Sequence, residues 1–306
     1  MEERLCAWQA TDMTSRPSGL PDHSWLGAPI DARPLFAPEH TALMATLRGL
    51  TPADWREEAV PGWTVRDLAA HLLGDCYGRL ARGRDGHPEG PSFAAGETLE
   101  AFIHRINQEW VDAHRRVSPA ALTDTLGLIG HQVVRFFETA DQDAPSTGVS
   151  WAGVDPAPMW LDSARELTEF WTHRQQIRHA AGQATDPAPR PLALVLDTFM
   201  RALPHTLREV DAPVGTQVRV SVEGPAGGLW TATATGDRWS LAEPGVRHPD
   251  ATLHLDAEAA WRLCTRGIEP DTALARARVE GDPAWPGPPA GSSPSSTDAP
   301  APTRRR

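Results

Sequence analysis

The chain reads as helical over its first half and as α+β over its second. Three observations predict that order. Between about residues 34 and 184, apolar residues recur at helical spacing in long stretches joined by loops, with no strand pattern between them, the mark of a helical bundle. After Asp186-Pro-Ala-Pro-Arg-Pro191 the period changes, and Val218, Val220 and Val222 alternate with polar residues as in a half-buried strand. Turn signals at Pro225-Ala-Gly-Gly228 and Gly236-Asp237 then separate further short alternating runs, which predicts a mostly antiparallel sheet.

Residues 1–33 mix Ser, Pro, Gly and Asp without periodicity and are expected to form a flexible leader. A first helix begins near Pro38 and runs through Leu43, Leu47 and Leu50 to the break at Thr51-Pro52, and Pro61-Gly62-Trp63 turns the chain. Thr64-Val-Arg-Asp67 resembles a capping box, with a hydroxyl for an orphan amide and an acid at the positive helix end. It opens a second helix that reaches about Gly83. Residues 84–97 read as a loop, and Gly96 to Val117 as a third helix carrying Leu99, Phe102, Ile103, Ile106 and Trp110. Ser118-Pro119 restarts the pattern through Phe137, with a bend or break expected at Gly127 and Gly130.

After an irregular stretch from Ala140 to Pro158, a helix spans Met159 to Ala181 and ends at Gly182 as a left-handed cap. Beyond the proline-rich linker one more helix runs from Leu192 to about Val210. The strands follow, Ala251 to Leu255 being the last predicted, and Asp256 caps a short helix that ends before Gly267. The α+β domain is assigned to residues 190–282. From Pro283 to Arg306 the composition of Pro, Ser, Ala and Gly cannot bury enough surface to order itself, and a disordered tail is expected.

Composition narrows the chemistry. A formal charge of -11 argues against a nucleic-acid or anionic-membrane binder. The sequence contains no lysine, so a Schiff-base or phosphate-loop lysine is excluded. Cys6, Cys76 and Cys264 are odd in number and far apart, offering neither a disulfide framework nor a thiolate zinc knuckle. No apolar run approaches the roughly 18 residues of a spanning helix, and the opening residues lack a signal-peptide core. A cytoplasmic protein, monomer or small homo-oligomer, is expected.

The chemistry concentrates in Arg165 to Gly182. Glu169 and His173 stand four residues apart, which leaves them about 40° apart around the helix and about 6 Å apart along it, near enough to converge on one cation. Glu166 lies about 10.5 Å from His173 along the axis, too far to share an ion. A Glu and a His at this spacing also form ordinary solvated helix pairs. On the second helix Asp67, His71 and Asp75 recur every four residues. Either His71 is satisfied by a helical neighbour, or it is a metal ligand with Asp67 or Asp75 accepting from its other ring nitrogen. Cys76 is rotated about 140° from His71 and makes a poor co-ligand.

Thr64-Val-Arg-Asp-Leu-Ala-Ala-His71-Leu-Leu-Gly, Trp151-Ala-Gly, Arg165 to Gly182, and Val222-Glu-Gly-Pro-Ala-Gly-Gly together resemble the mycothiol-dependent maleylpyruvate isomerase family. The resemblance covers roughly residues 34–282. It implies a DinB-like four-helix bundle followed by a small domain similar to sterol carrier protein 2. It also implies divalent-metal ligands at His71, Glu169 and His173, and mycothiol as the thiol partner. Two histidines and one carboxylate leave a zinc-like ion an open position, as catalytic sites do.

The expected function is therefore activation of a low-molecular-weight thiol for addition to, transfer to, or isomerisation of a small electrophile. None of the three cysteines is needed for it. Arg262 and Arg266 are candidates for holding the thiol cofactor or clamping an acidic substrate from the second domain, and both also suit an ordinary surface role. Two other readings stand beside it. One is a non-catalytic protein in which the metal only stabilises the fold and the second domain carries a small ligand. The other is a metal-dependent hydrolase with Glu166 or an Asp as base.

Overall fold

Residues 21–186, 188–242, 245 and 248–281 are described by a computed structural model. A 3-10 turn at Ser24–Leu26 buries Leu26 completely, and Ile30 and Ala32 follow it inward. The last third of the expected leader is therefore fixed in place; residues 1–20 lie outside the described residues. Two bonds tie this segment to distant chain: the Leu241 amide donates to the Trp25 carbonyl at 2.7 Å, and the Arg201 guanidinium donates to the Leu26 carbonyl.

Helix α1 (Arg33–Gly49) starts five residues before Pro38, because Pro34 occupies its first turn, where a missing amide costs little. The turn at 61–63 becomes a small hairpin, β1 (Glu58–Val60) and β2 (Trp63–Thr64), with Gly62 at φ +81°. Helix α2 (Val65–Arg79) opens on a true capping box: the Thr64 hydroxyl accepts from the Asp67 amide and the Asp67 carboxylate accepts from the Thr64 amide. It continues into a π-helical turn, Leu80–Arg84.

Helix α3 (Leu99–Ala113) is capped by Thr98 and α4 (Pro119–Thr139) by Ser118. Helix α4 runs unbroken through both glycines. A Cβ at residue 130 would lie 2.6 Å from His40 Nε2, so this glycine allows α1 and α4 to approach closely instead of breaking the helix. A two-residue hairpin, β3 (Pro145–Ser146) and β4 (Ala157–Pro158), leads into α5 (Met159–Ala180), closed by Gly182 at φ +70°.

Helices α1, α2, α4 and α5 pack on one another, while α3 lies against α2. They enclose an apolar cluster that includes Leu43, Leu68, Leu72, Leu126 and the stacked pair Phe36 and Phe137, 4.8 Å apart. Helix α5 is polar in sequence yet buried on nearly every face, including Asp162, Glu166, His173, Arg174, Gln175 and Gln176. Its polar groups must find partners inside the protein, and that requirement builds the site.

The second part begins with α6 (Pro189–Met200), which starts inside the expected linker because Pro189 and Pro191 suit a first helical turn. A short α7 (Leu203–Thr206) follows. The sheet contains β5 (Gln217–Val222), β6 (Gly228–Ala234), β7 (Trp239–Ser240) and β8 (Ala251–Leu255). Helices α8 (Ala257–Cys264) and α9 (Pro270–Arg276) precede the edge strand β9 (Arg278–Gly281). The strand order is β7-β6-β5-β8-β9. The three outer pairings are antiparallel, but β8 returns beside β5 in parallel register, Val220 opposite Leu253. Asp256 caps α8 through the Ala259 amide as expected, whereas α9 and β9 were not anticipated.

A second apolar cluster fills the space between the sheet and α6 and α8. It reaches back to α5, whose Trp171 is fully buried there, edge-on to Trp261 at 5.3 Å. Among the described residues no helix is long and apolar enough to cross a membrane. The expected tail from Pro283 lies outside the described residues.

Candidate metal centre

Helix α2 carries His71 and helix α5 carries Glu169 and His173. Their ligand atoms all lie within 4.8 Å of one another. The 169–173 spacing brings the carboxylate and the imidazole onto one face of α5, and the packing of α2 against α5 sets His71 across from them. The two imidazoles meet edge-on with ring centres 5.1 Å apart. Trp63, in the strand that leads into α2, lies 5.2 Å from the His71 ring. Burial is graded across the three: His173 is 0% exposed, His71 9%, and the Glu169 side chain 23%. The carboxylate is thus the edge of the site nearest solvent.

Hydrogen bonding fixes the state of His173. Its Nδ1 lies 2.7 Å from Gln176 Oε1, an acceptor, so the ring proton sits on Nδ1. Its Nε2 then turns a lone pair toward Glu169 Oε2 at 3.2 Å, is sealed from solvent, and has no hydrogen-bond partner. A lone pair facing a carboxylate is repulsive unless a positive species lies between them. Without an ion, a proton answers: burial resists charging of His173, but Glu169 and Gln176 outweigh it and hold its pKa above the ordinary value. Burial, and then the neighbouring His173, push His71 down to about 4. Two neutral imidazoles and a carboxylate around one point, one nitrogen left without a hydrogen bond, fit a divalent cation.

The surrounding acids are committed elsewhere. Asp67 belongs to the Thr64 capping box, and among the described residues neither it nor Asp75 hydrogen-bonds the His71 ring. Arg79 lies 2.7 Å from Glu166 and 3.1 Å from Asp162, and Arg165 lies 2.6 Å from Asp162. Burial drives the Glu166 carboxyl well above the carboxylate range, with Arg79 opposing; at Asp75 burial also resists ionisation, but Arg79 together with Glu166, His71 and Arg82 lowers the pKa. Cys76 is fully buried and burial raises its thiol well above 9. Cys264 is pushed up by burial to about 12.

Arg262 and Arg266 do not join the three. Arg262 donates to Glu258 at 2.6 Å, lies over the Trp261 ring, and approaches His179 of α5 at 3.4 Å. Arg266, at φ +56°, reaches Glu100 of α3 at 3.2 Å. Both hold the second part against the helices. Sequence reasoning missed Trp63 and Gln176 as parts of the site. The signal for Gln176 was present, since it stands three residues after His173 and so shares its face.

Residues 36–178 match the family model described as the mycothiol maleylpyruvate isomerase N-terminal domain, a span that includes His71, Glu169 and His173. No curated protein matches the chain by sequence. The fold is similar to a crystal structure of a histidine-to-alanine mutant of the mycothiol-dependent maleylpyruvate isomerase. The TM-score is 0.52 at 15% identity, over 87% of this chain and 98% of that one. A second crystal structure of the mycothiol-dependent maleylpyruvate isomerase is similar at 15% identity and a TM-score of 0.49, over 78% of this chain and 90% of that one.

Proposed function

We propose, from the match of residues 36–178 to the mycothiol maleylpyruvate isomerase N-terminal domain model, that the chain belongs to that family and is a divalent-metal-dependent enzyme using mycothiol on a small electrophile. The reaction class is addition, transfer, or isomerisation by reversible thiol addition. The observation that carries this reading is the convergence of His71, Glu169 and His173, with His173 Nε2 buried and without a hydrogen bond. In this reading α1, α2, α4 and α5 form a DinB-like four-helix bundle, and residues 190–282 a second domain similar to sterol carrier protein 2.

The three residues would hold the ion, zinc being suited to two imidazoles and one carboxylate with a position left open. Such an ion, when bound, supplies a Lewis acid that lowers the pKa of a thiol and so provides a thiolate at neutral pH. The chain's own side chains do the rest. Gln176 orients His173, and Trp63 excludes water from the His71 side. Arg79, bridging to Asp162 and Glu166, binds α2 to α5 just beyond the site. Arg262 and Arg266 are the proposed clamp for an anionic group, which would compete with their carboxylate partners Glu258 and Glu100. Glu166, one of the bases named for the hydrolase reading, is 0% exposed and lies 2.7 Å from Arg79, which does not favour it in that role.

The test measures metal content, circular dichroism and mycothiol-dependent turnover of maleylpyruvate and a panel of electrophiles, on wild type and His173→Ala. The variant is expected to stay folded while losing metal affinity and turnover together. A folded, metal-free variant with undiminished thiol-dependent activity overturns the reading.

A further inference from the structure

The proton-bearing nitrogen of His173 faces an unusual partner. A metal-bound histidine commonly gives its second N–H to a carboxylate, a backbone carbonyl or water. Here the acceptor is the neutral side-chain amide of Gln176, 2.7 Å away and only 8% exposed. We propose that Gln176 is the positioning residue of the centre and that its neutrality makes the site select a monoanionic fourth ligand. This inference rests on the metal reading above.

The charges around the site support it. A dication, the Glu169 carboxylate, two neutral imidazoles and a neutral amide sum to one positive charge. The arginines of α2 and α5 that line this interior are paired with carboxylates: Arg79 with Asp162 and Glu166, Arg165 with Asp162, and Arg174 with Glu39 and Asp186. One surplus positive charge in a desolvated pocket is neutralised by one thiolate, with the thiol proton released to solvent. A carboxylate at position 176 would cancel that surplus while keeping the hydrogen bond to Nδ1. Gln176 therefore carries two separable properties, its acceptor oxygen and its lack of charge.

Two variants separate them. Cobalt(II) is loaded into the full-length protein, its affinity is measured by competition with a chelator, and 2-mercaptoethanol is titrated while sulfur-to-cobalt charge-transfer absorption is followed. Gln176→Ala is expected to weaken cobalt binding about ten- to a hundredfold. Gln176→Glu is expected to bind cobalt at least as tightly as wild type yet bind the thiol about tenfold more weakly, because the added charge opposes the thiolate at short range. If Gln176→Ala binds cobalt like wild type, the positioning role is wrong. If Gln176→Glu binds the thiol as tightly as wild type, the charge argument is wrong. The isosteric Gln176→Glu carries the test alone should Gln176→Ala fail to fold. A wild-type protein that takes up no cobalt overturns this inference and the proposed function together, whereas wild-type uptake with unchanged variants overturns only the inference.

Discussion

Removing Glu39 should destabilise the protein about as much as truncating one of its buried leucines. Arg174 sits beside His173 on α5, is 2% exposed, and depends on two carboxylates. Glu39 of α1 accepts two hydrogen bonds from it, at 2.5 and 3.0 Å, and Asp186 accepts a third at 2.8 Å. Glu39 is itself only 3% exposed, so water cannot replace it. Breaking one partner of a buried pair costs about 3–5 kcal/mol, and since Asp186 remains, Glu39→Leu is expected near the low end, about 3 kcal/mol. For a unit of this size that lowers the melting temperature by roughly 6–12 °C. The double variant Glu39→Leu with Arg174→Met should recover at least about 2 kcal/mol of the loss, because it removes the stranded charge as well as its partner. Urea unfolding and thermal melts of the two single variants, the double variant and wild type complete the cycle. A cost below about 1 kcal/mol for Glu39→Leu, or a double variant no more stable than the sum of the singles, refutes the argument.

Two further outcomes follow from the site. Metal affinity should fall about tenfold per pH unit as pH drops below the raised pKa of His173, because a proton takes the place of the ion on Nε2. His71, held down to about 4, adds no second proton until strongly acid pH, so chelator competition between about pH 6 and 5 should show a slope of one proton, and a slope of two would contradict the assignment. We also propose that the helical region folds alone. A fragment of residues 21–186 should stay helical and keep its cobalt affinity, although it exposes Trp171 and loses about 3 kcal/mol of stability. A folded fragment that binds no metal would mean that the second part supplies a ligand.

What could be read from the sequence was local. Thr64 with Asp67, Ser118 and Asp256 accept from amides within a few residues of themselves, Gly182 donates its own amide to the His179 carbonyl, and each helix boundary they mark follows. The same holds for Glu169 and His173, one helical turn apart. His71 lies about a hundred residues away, and only the resemblance joined it to them. Non-local facts were misread for the same reason. Gly130 looked like a break because nothing in its own stretch reveals His40 packed against it. Asp67 looked free to accept from His71, although its carboxylate is taken by the Thr64 backbone amide and hydroxyl. Strand β8 gives no sign of its parallel neighbour, and β9 is exposed at all four residues, so no apolar pattern marks it.

The tie between Trp25 and Leu241, together with that between Leu26 and Arg201, sets an order of events during synthesis. The segment that seals one end of the helical core emerges from the ribosome first, but its backbone partners emerge about 175 and 215 residues later. At roughly 5–20 residues per second it waits on the order of ten to forty seconds before it can close. The nascent helices can therefore pack Leu26, Ile30 and Ala32 into their own core first, and the two backbone bonds to the second part close last. A circular permutant that begins at residue 33 and carries residues 21–32 behind the last strand would shorten the wait to a few seconds.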